Sequence, residues 1–251
     1  MSGAPASLKS MHSAYEFWNN ISSLLNLTYV IGREDYEIFR GYSNNNIQRK
    51  RNSGIYPATY RVNEAMKINA RADIVSILAK KESALNYDLH SIFINDTKMV
   101  NDQANPIQYF VENYNLLHNE GRDVFTSDGD YTIKRTLVDA KYGIVPVSIN
   151  RKKMSNTGRE VFDSTKLNLQ EMLVLNENMY LLKSIICYTG GGHYVAYYKC
   201  EDSDNWIYYN DLSKPLYIPL GLFDSFKDKN MPGYKITPLQ ACEQLFYFKI
   251  E

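Results

Sequence analysis

The residues of this sequence that are best suited to chemistry lie on a glycine–histidine hairpin. An apolar segment over 182–188 leads into three consecutive glycines, Gly190 to Gly192, and the chain leaves them through His193. Glycines permit a positive φ and the close approach of another backbone, while a rigid strand behind them holds the histidine in place. Imidazole titrates near neutral pH, so His193 is placed to act as a general base.

An orienting residue for this histidine follows on the next predicted strand. A turn over 201–205 would fold the chain back along the segment Trp206–Tyr209. Asn210 or Asp211 would then lie beside His193 and could accept a hydrogen bond from the imidazole. Holding the tautomer in this way is the third role of a nucleophile–base–orienter triad. The alternative is a structural histidine that caps a glycine turn, with Asn210 and Asp211 ending a strand.

The first part of the chain is predicted to be mainly helical. One amphipathic helix is indicated by apolar residues at spacings of three and four, namely Phe17, Ile21, Leu24, Leu25 and Thr28. A second helix is expected over 63–81. A third begins near Asn105 and Pro106, since proline suits the first helical turn, and it ends near Gly121.

After Gly121 the pattern changes to short β-rich segments separated by turn residues. The predicted strands are Tyr131–Val138, Gly143–Asn150, Met179–Tyr188, Tyr194–Cys200, Trp206–Tyr209 and Leu245–Ile250. Asp128 and Gly129 are expected to form a hairpin turn. Helices followed by an antiparallel sheet predict an α+β fold. Because no flexible linker separates the two parts, residues 1–251 are expected to form a single domain.

The composition excludes several classes of protein. The 251 residues carry 28 Lys+Arg and 28 Asp+Glu, and this balance removes the electrostatic case for a nucleic-acid partner or a membrane surface. No apolar run approaches the ~18 residues of a membrane-spanning helix. The three cysteines, Cys187, Cys200 and Cys242, are too few for a disulfide framework or a four-cysteine zinc site. They are expected to be reduced thiols of a cytoplasmic or nuclear protein.

The histidine hairpin resembles the C-terminal box of the ubiquitin-specific proteases, papain-like cysteine isopeptidases that cut ubiquitin from its conjugates. The similar segments are Gly192–Tyr197, Trp206–Asp211, Ile144–Arg151, Glu243–Tyr247 and, less closely, Gln108–Tyr114. The resemblance implies a papain-like cysteine peptidase fold, with a helical thumb over 1–120 and an antiparallel β palm with shortened fingers over 121–251. It also implies that His193 is the general base, that Asn210 orients it and that Asp211 supports the pair.

The nucleophile that this resemblance demands is missing. In the family it is a cysteine at the N-terminus of the first helix, where the helix dipole favours the thiolate. The resemblance places Ala14 in that position, and a second register places Glu16 there. The family's oxyanion donor would fall on Lys9. A hydroxyl has a far higher pKa than a thiol, so Ser10 and Ser13 are not expected to replace the cysteine.

The segment over 119–143 bears on binding, because the family's zinc-holding β fingers would have to lie there. It contains no Cys-x-x-Cys pair, so no zinc and no other cofactor are expected. Shortened fingers would contact less of ubiquitin's globular body, which makes a ubiquitin-like modifier an alternative partner. Gly191 and Gly192 are expected to line a channel for the modifier's extended tail, with Tyr194 and Tyr209 packing against it. The 21 tyrosines suit such an amphipathic surface.

Three functions remain open at this point. The chain is a natural pseudoenzyme that binds ubiquitin or a ubiquitin-like protein, or an active deubiquitinating isopeptidase whose cysteine was engineered to Ala14, or a pseudo-protease scaffold in a larger protein assembly. The retained His193 and Asn210 favour the engineered enzyme, whereas the lost oxyanion residue favours the pseudoenzyme. Binding or scaffolding without hydrolysis is expected from the sequence as it stands.

Overall fold

The structure, a computed structural model, describes residues 14–39, 84–114, 123–126 and 129–250. The helices are α1 (Ala14–Leu24), α2 (Pro106–Glu112), α3 (Phe223–Phe226) and α4 (Pro238–Ala241), with a 3-10 turn at Thr97–Met99. The strands are β1 (Val30–Phe39), β2 (Ala84–Leu89), β3 (Ile92–Ile94), β4 (Asp123–Thr126), β5 (Gly129–Ala140), β6 (Ile144–Ile149), β7 (Lys152–Met154), β8 (Glu160–Phe162), β9 (Met172–Leu175), β10 (Asn178–Gly190), β11 (His193–Lys199), β12 (Trp206–Tyr209), β13 (Tyr217–Gly221) and β14 (Cys242–Lys249).

The residues group into two compact units, and the single domain expected over 1–251 stays a prediction. The first unit comprises Met1–Ile31, Asp88–Asn113 and Leu137–Glu251, and the second comprises Gly32–Tyr87 and Tyr114–Thr136. The reason lies in the strand pairing. The strands β2-β1-β5-β4 form one four-stranded sheet, and β3, β6 and β9 to β14 form a separate large sheet.

The large sheet of the first unit has the order β13-β12-β11-β10-β14-β6-β3, and β9 pairs beside β10. Its strand pairs are antiparallel in the described residues, apart from the parallel pair of β3 and β6. The central strand β10 is 13 residues long, so one half pairs with β9 and the other half with β11. This long strand carries the chain into the glycine turn.

The strand predictions are confirmed for the second half of the chain. Trp206–Tyr209 coincides with β12, and β5, β6, β10, β11 and β14 lie within a few residues of their predicted ranges. The first part is not mainly helical in the described residues, because β1, β2 and β3 lie within it. β1 mixes charged with apolar residues and β3 has three residues, so neither shows a clear strand pattern. The predicted helix over 63–81 and the turn residue Asp128 lie outside the described residues.

The packing of α1 differs from its predicted apolar stripe. Phe17, Leu24 and Leu25 are exposed, and the helix ends before Thr28. Instead the helix packs through Trp18, whose ring lies 4.9 Å from the ring of Phe246 on β14. The indole offers more apolar area on that face than any other residue of α1 does, which explains the orientation of the helix.

The helix α2 begins where proline and asparagine predict it. Asn105 is the N-cap, and its Oδ1 accepts the backbone N–H of Gln108 at 3.3 Å. The helix ends at Glu112, well before Gly121. The side chain of Gln108 reaches the edge strand β9, where its Oε1 accepts the N–H of Val174 at 2.8 Å and its Nε2 donates to the carbonyl of Val174 at 3.1 Å.

Aromatic side chains from β11, β12 and α3 form the core beneath the histidine hairpin. Trp206 is fully buried, with its ring 5.4 Å from Phe223 and 5.8 Å from Phe226. Tyr197 stacks on Phe226 at a centroid distance of 5.2 Å. The hairpin therefore rests on a rigid packed layer. Of the helices within the described ranges, none has the length and apolar character needed to cross a membrane.

Arg151, which follows β6, joins several segments of the large sheet. Only 1% of the residue is exposed. Its guanidinium donates to four carbonyl oxygens, those of Cys242 at 2.9 Å, Leu239 at 3.0 Å, Thr165 at 2.5 Å and Asp163 at 3.4 Å. The planar fork of an arginine can reach these separate acceptors together, which a lysine ammonium cannot do.

Replacing Arg151 with alanine should lower the free energy of unfolding by about 3 kcal/mol or more, because four carbonyl groups lose their donor inside the fold. Arg159 is the matched control, since it is exposed in the turn between β7 and β8. Arg159→Ala should change the free energy of unfolding by about 0.5 kcal/mol at most. Urea denaturation of the two variants measures both values, and similar small losses would contradict the role given to Arg151.

Candidate functional site

The turn between β10 and β11 sets the position of His193. The pairing shifts at a bulge between Tyr188 and Gly190, after which Gly190 lies opposite His193. The turn residues Gly191 and Gly192 have φ values of 62° and 80°. This left-handed region is open to glycine without steric cost. A Cβ at either glycine would meet no atom within 4 Å, so the turn borders open space.

His193 is hydrogen-bonded to Asn210, which follows β12. Nε2 of His193 lies 2.9 Å from Oδ1 of Asn210. The same oxygen accepts the N–H of Leu212 at 3.0 Å, while Nδ2 of Asn210 donates to the Tyr208 hydroxyl at 3.2 Å. These contacts fix the amide so that its oxygen faces the imidazole, and Nε2 therefore carries the proton. In the neutral ring Nδ1 is then the nitrogen that can take a proton.

Asp211 and Tyr234 complete the described surroundings of His193. Oδ1 of Asp211 lies 3.8 Å from Nδ1 of His193, within ion-pair distance of the nitrogen that would take a proton. The Tyr234 ring stacks on the imidazole at a centroid distance of 6.5 Å. Its hydroxyl accepts from Nδ2 of Asn210 at 3.5 Å, which gives the amide a second anchor. His193, Asn210 and Asp211 are thus brought together as one cluster.

Ala14 is the first residue of α1, and its backbone is bound to the same part of the sheet. Its N–H donates to Oε2 of Glu243 at 3.0 Å, and the hydroxyl of Tyr194 donates to that oxygen at 3.2 Å. Tyr194 directly follows His193 in the chain. Glu243 therefore links the start of α1 to the strand that begins with the histidine.

The second register of the N-terminal helix gives Glu16 a different setting. Glu16 lies in the first turn of α1, and its Oε1 is 3.5 Å from Nζ of Lys152. Lys9, Ser10 and Ser13 lie outside the described residues. Of the two candidate positions, Ala14 is the one at the first residue of the helix.

Glu243 is a site residue that the sequence pattern does not single out. It is the extra residue of a bulge in β14, because Ile186 pairs with Gln244 while Cys187 pairs with Cys242. A bulge redirects the side chain of its extra residue, and bulges are frequent beside functional sites. The sequence feature that points to Glu243 is a pair of polar residues at 243–244 in an otherwise apolar strand.

The carboxyl of Glu243 is almost completely buried, with 2% of the residue exposed. Burial raises its pKa to about 6, because water no longer solvates the charged form. The N–H of Ala14, the hydroxyl of Tyr194 and the positive charges of Arg151 and Lys152 act in the opposite direction and stabilise the carboxylate. Glu243 is therefore ionised at neutral pH while it is held inside the protein.

The remaining predicted tail-binding residues have separate surroundings. The ring of Tyr194 packs on the ring of Tyr188 at 5.2 Å, beside the glycine turn. Tyr209 packs on Tyr217 of β13, also at 5.2 Å, so its described ring contact is with the outer strand of the sheet.

The cysteines occupy the large sheet, and all three carry free thiols. Cys187 and Cys242 are buried and lie opposite each other on β10 and β14. Burial raises the pKa of Cys187 well above its ordinary value, which leaves it a protonated and poor nucleophile. Within the residues that the structure describes, no group of His, Cys, Asp and Glu side chains is arranged to hold a metal ion.

Comparisons with known proteins give matches of structure alone, since no protein family and no curated protein matches the sequence. Three solved structures of the SAGA DUB module resemble the chain. A Ubp8 Ser→Asn variant with Sgf11, Sus1 and Sgf73 matches with a TM-score of 0.54 at 12% identity, over 96% of this chain and 49% of that one. The Ubp8–Sgf11–Sgf73–Sus1 module matches with a TM-score of 0.53 at 12% identity over the same shares, 96% and 49%.

The third match is the module with a Ubp8 Cys→Ala variant bound to monoubiquitin. Its TM-score is 0.54 at 14% identity, again over 96% of this chain and 49% of that one. Ubp8 is a ubiquitin-specific protease. The chain has a ubiquitin-specific-protease-like fold. It spans about half the length of the protein that it matches, and at these identities the likeness is one of fold.

Asn210→Ala should change the tautomer of His193, because the variant has no oxygen to accept the proton of Nε2. The ¹⁵N NMR spectrum of the neutral imidazole should show a protonated Nε2 in the wild type and a mixture of both tautomers in the variant. Asn205→Ala is the control, since Asn205 is an exposed asparagine just before the same strand. A wild-type spectrum with the proton on Nδ1 would contradict the orientation given to Asn210.

Glu243→Gln should remove a pH dependence of stability. Because burial raises the folded pKa of Glu243 from 4.5 to about 6, its protonation stabilises the fold below 4.5, and this contribution is lost as the pH rises through about 6. The loss amounts to about 2 kcal/mol. The stability of the variant relative to the wild type should therefore increase by that amount between about pH 4 and about pH 7.5.

Tyr194→Phe is the control for this measurement, because it removes one donor and keeps the carboxyl group. It should keep a pH dependence of the same sign, with the midpoint at a higher pH, because the Tyr194 hydroxyl lowers the pKa of Glu243. Denaturant unfolding at the two pH values measures all three proteins, and parallel pH profiles for wild type and Glu243→Gln would show that Glu243 does not titrate in this range.

Proposed function

We propose that this chain binds ubiquitin or a ubiquitin-like modifier and does not hydrolyse its conjugates. The observation that carries the proposal is Ala14 at the first residue of α1, in the unit that also contains the hydrogen-bonded pair of His193 and Asn210. In this proposal His193 is the base and Asn210 its orienting residue, and the residue resembling the nucleophile position has a methyl side chain.

The lack of turnover follows from the chemistry of that methyl group. Acyl transfer of the papain type requires a thiolate that attacks the carbonyl carbon, and a methyl group has neither a proton to give nor a lone pair. The thiols of Cys187 and Cys242 are buried and lie on other elements, β10 and β14. His193 is then a hydrogen-bonding and positioning residue with no nucleophile to activate.

The binding part of the proposal rests on the open glycine turn. Gly191 and Gly192 present backbone without side chains next to His193, which suits a narrow channel for an extended tail that itself ends in glycines. The Cys→Ala variant of Ubp8, which shares the fold, was solved bound to monoubiquitin. In that protein, an alanine in place of a cysteine is compatible with a bound ubiquitin.

A scaffold role within a protein assembly is the second candidate. The matched structures contain Ubp8 together with Sgf11, Sus1 and Sgf73. In the present chain, α1 exposes Phe17 and Leu24, with Leu25 just beyond its end. An exposed apolar stripe of this kind is typical of surfaces that contact other proteins.

Titration of the ¹⁵N-labelled protein with ubiquitin separates these functions. Binding should shift the resonances of the glycine turn, and Gly191→Leu should weaken it about tenfold or more because the side chain enters the space for the tail. Gly158→Leu is the matched control, since Gly158 also has a positive φ, 74°, and no atom within 4 Å of an added Cβ, but lies in the turn between β7 and β8.

Three results would contradict parts of this proposal. No shift at ~1 mM ubiquitin or a ubiquitin-like modifier would favour the scaffold over the binding protein, since such a weak complex has less than about 4 kcal/mol of binding free energy. Equal effects of the two leucine variants would remove the glycine turn from the binding surface. Hydrolysis of a ubiquitin–fluorophore conjugate by the wild-type chain would overturn the proposal that it lacks turnover.

A further inference from the structure

The N-terminus of α1 already has an anion bound to it. A helix N-terminus carries a partial positive charge and unpaired N–H groups, and it stabilises a negative charge placed there. α1 is 11 residues long, and the group at its first N–H is Oε2 of Glu243, 3.0 Å from the nitrogen of Ala14. The field that would favour a thiolate at this helix start therefore acts on a carboxylate.

The surroundings of Glu243 keep this anion in place. The side chain is faced by Tyr194 from β11, by Cys187 from β10, and by Arg151 and Lys152 from the segment after β6. The hydroxyl of Tyr194 donates to the same oxygen as Ala14 does. Because the residue is 2% exposed, water does not screen its charge. The carboxylate is thus fixed, unscreened and directed at the start of α1.

A thiol at position 14 would meet this charge directly. Its sulfur would lie within about 5 Å of the Glu243 carboxylate, the range in which a like charge disfavours ionisation of a neighbouring group. Papain-type chemistry depends on a thiolate with a positive neighbour, and the Glu243 carboxylate is a negative one at the start of α1.

We propose that Glu243 is an electrostatic block in the candidate site: its buried carboxylate occupies the anion position at the N-terminus of α1, so that a thiol placed at position 14 stays protonated at neutral pH. The inference rests on the proposed function in taking position 14 as the nucleophile position. In this proposal the chain lacks turnover for two independent reasons. Position 14 has no thiol, and the Glu243 carboxylate already occupies the place of the thiolate charge at the start of α1. Restoring the thiol alone would then not restore an enzyme.

The test compares Ala14→Cys with the double variant Ala14→Cys/Glu243→Gln. The rate of alkylation by iodoacetamide is measured from about pH 5 to about pH 10, with each cysteine peptide quantified separately by mass spectrometry. In the single variant, the introduced thiol should titrate above the ordinary value of about 8.5. In the double variant its pKa should be lower by about 1 to 2, which raises the rate at neutral pH about tenfold.

The control is Ala14→Cys/Tyr194→Phe, which removes the other hydrogen bond to Glu243 and leaves the carboxylate. Above the pH range in which Glu243 titrates, it should alkylate no faster than the single variant, because the charge is unchanged there. A comparable acceleration in this control would show that loosening of the helix start, and not the charge, governs reactivity. That result would overturn the proposal.

One further outcome decides the matter without the double variant and without ubiquitin. If the thiol of the single variant titrates at or below about 8.5, the block does not exist, even when Glu243→Gln fails to fold. Because alkylation needs no ubiquitin, a failure to bind ubiquitin leaves this result unaffected, and the two proposals fail separately. Hydrolysis of a ubiquitin–fluorophore conjugate by the single variant would overturn the block, whereas hydrolysis by the double variant alone would support it.

Discussion

One extra residue in β14 is the constraint on which the candidate site depends. Because Ile186 pairs with Gln244 and Cys187 with Cys242, Glu243 has no partner in the ladder and its side chain leaves the regular alternation of the strand. The carboxylate reaches both Ala14 and the hydroxyl of Tyr194 from there. A second bulge, in β10 before Gly190, sets where the histidine begins β11. His193 and the carboxylate that binds the start of α1 thus both lie next to local departures from regular pairing.

These two bulges also mark the limit of what the sequence predicts. The Gly-His hairpin, Asn210 and the strand Trp206–Tyr209 follow from alternating apolar residues and turn residues, and the structure shows them near their expected ranges. The role of Glu243 depends on register, which no local pattern encodes. The buried face of α1 was missed for a related reason, since packing of Trp18 on Phe246 outweighs the stripe formed by the other apolar residues.

The hydrogen-bonding groups of the site suit the binding of a peptide, whereas the charge at the start of α1 does not suit cleavage by a thiolate. His193 is held by neutral hydrogen-bonding partners on one side, with the tautomer set by the amide of Asn210. On the other side, the carboxylate of Glu243 accepts the N–H of Ala14, and Arg151 and Lys152 stabilise that carboxylate. A site of this kind can present backbone and hydrogen bonds to a peptide tail. The anion at the start of α1 is a carboxylate, where papain-type chemistry needs a sulfur anion.

The contact of Gln108 with β9 has a consequence for how this protein behaves in a crowded solution. The outer strand carries exposed Met172 and Val174 beside exposed Met179 of β10, an arrangement that invites another strand to add to the sheet. The side-chain amide of Gln108 holds both the N–H and the carbonyl of Val174, as a neighbouring strand would. A single glutamine thereby occupies the two backbone groups of Val174 with which an added strand would pair.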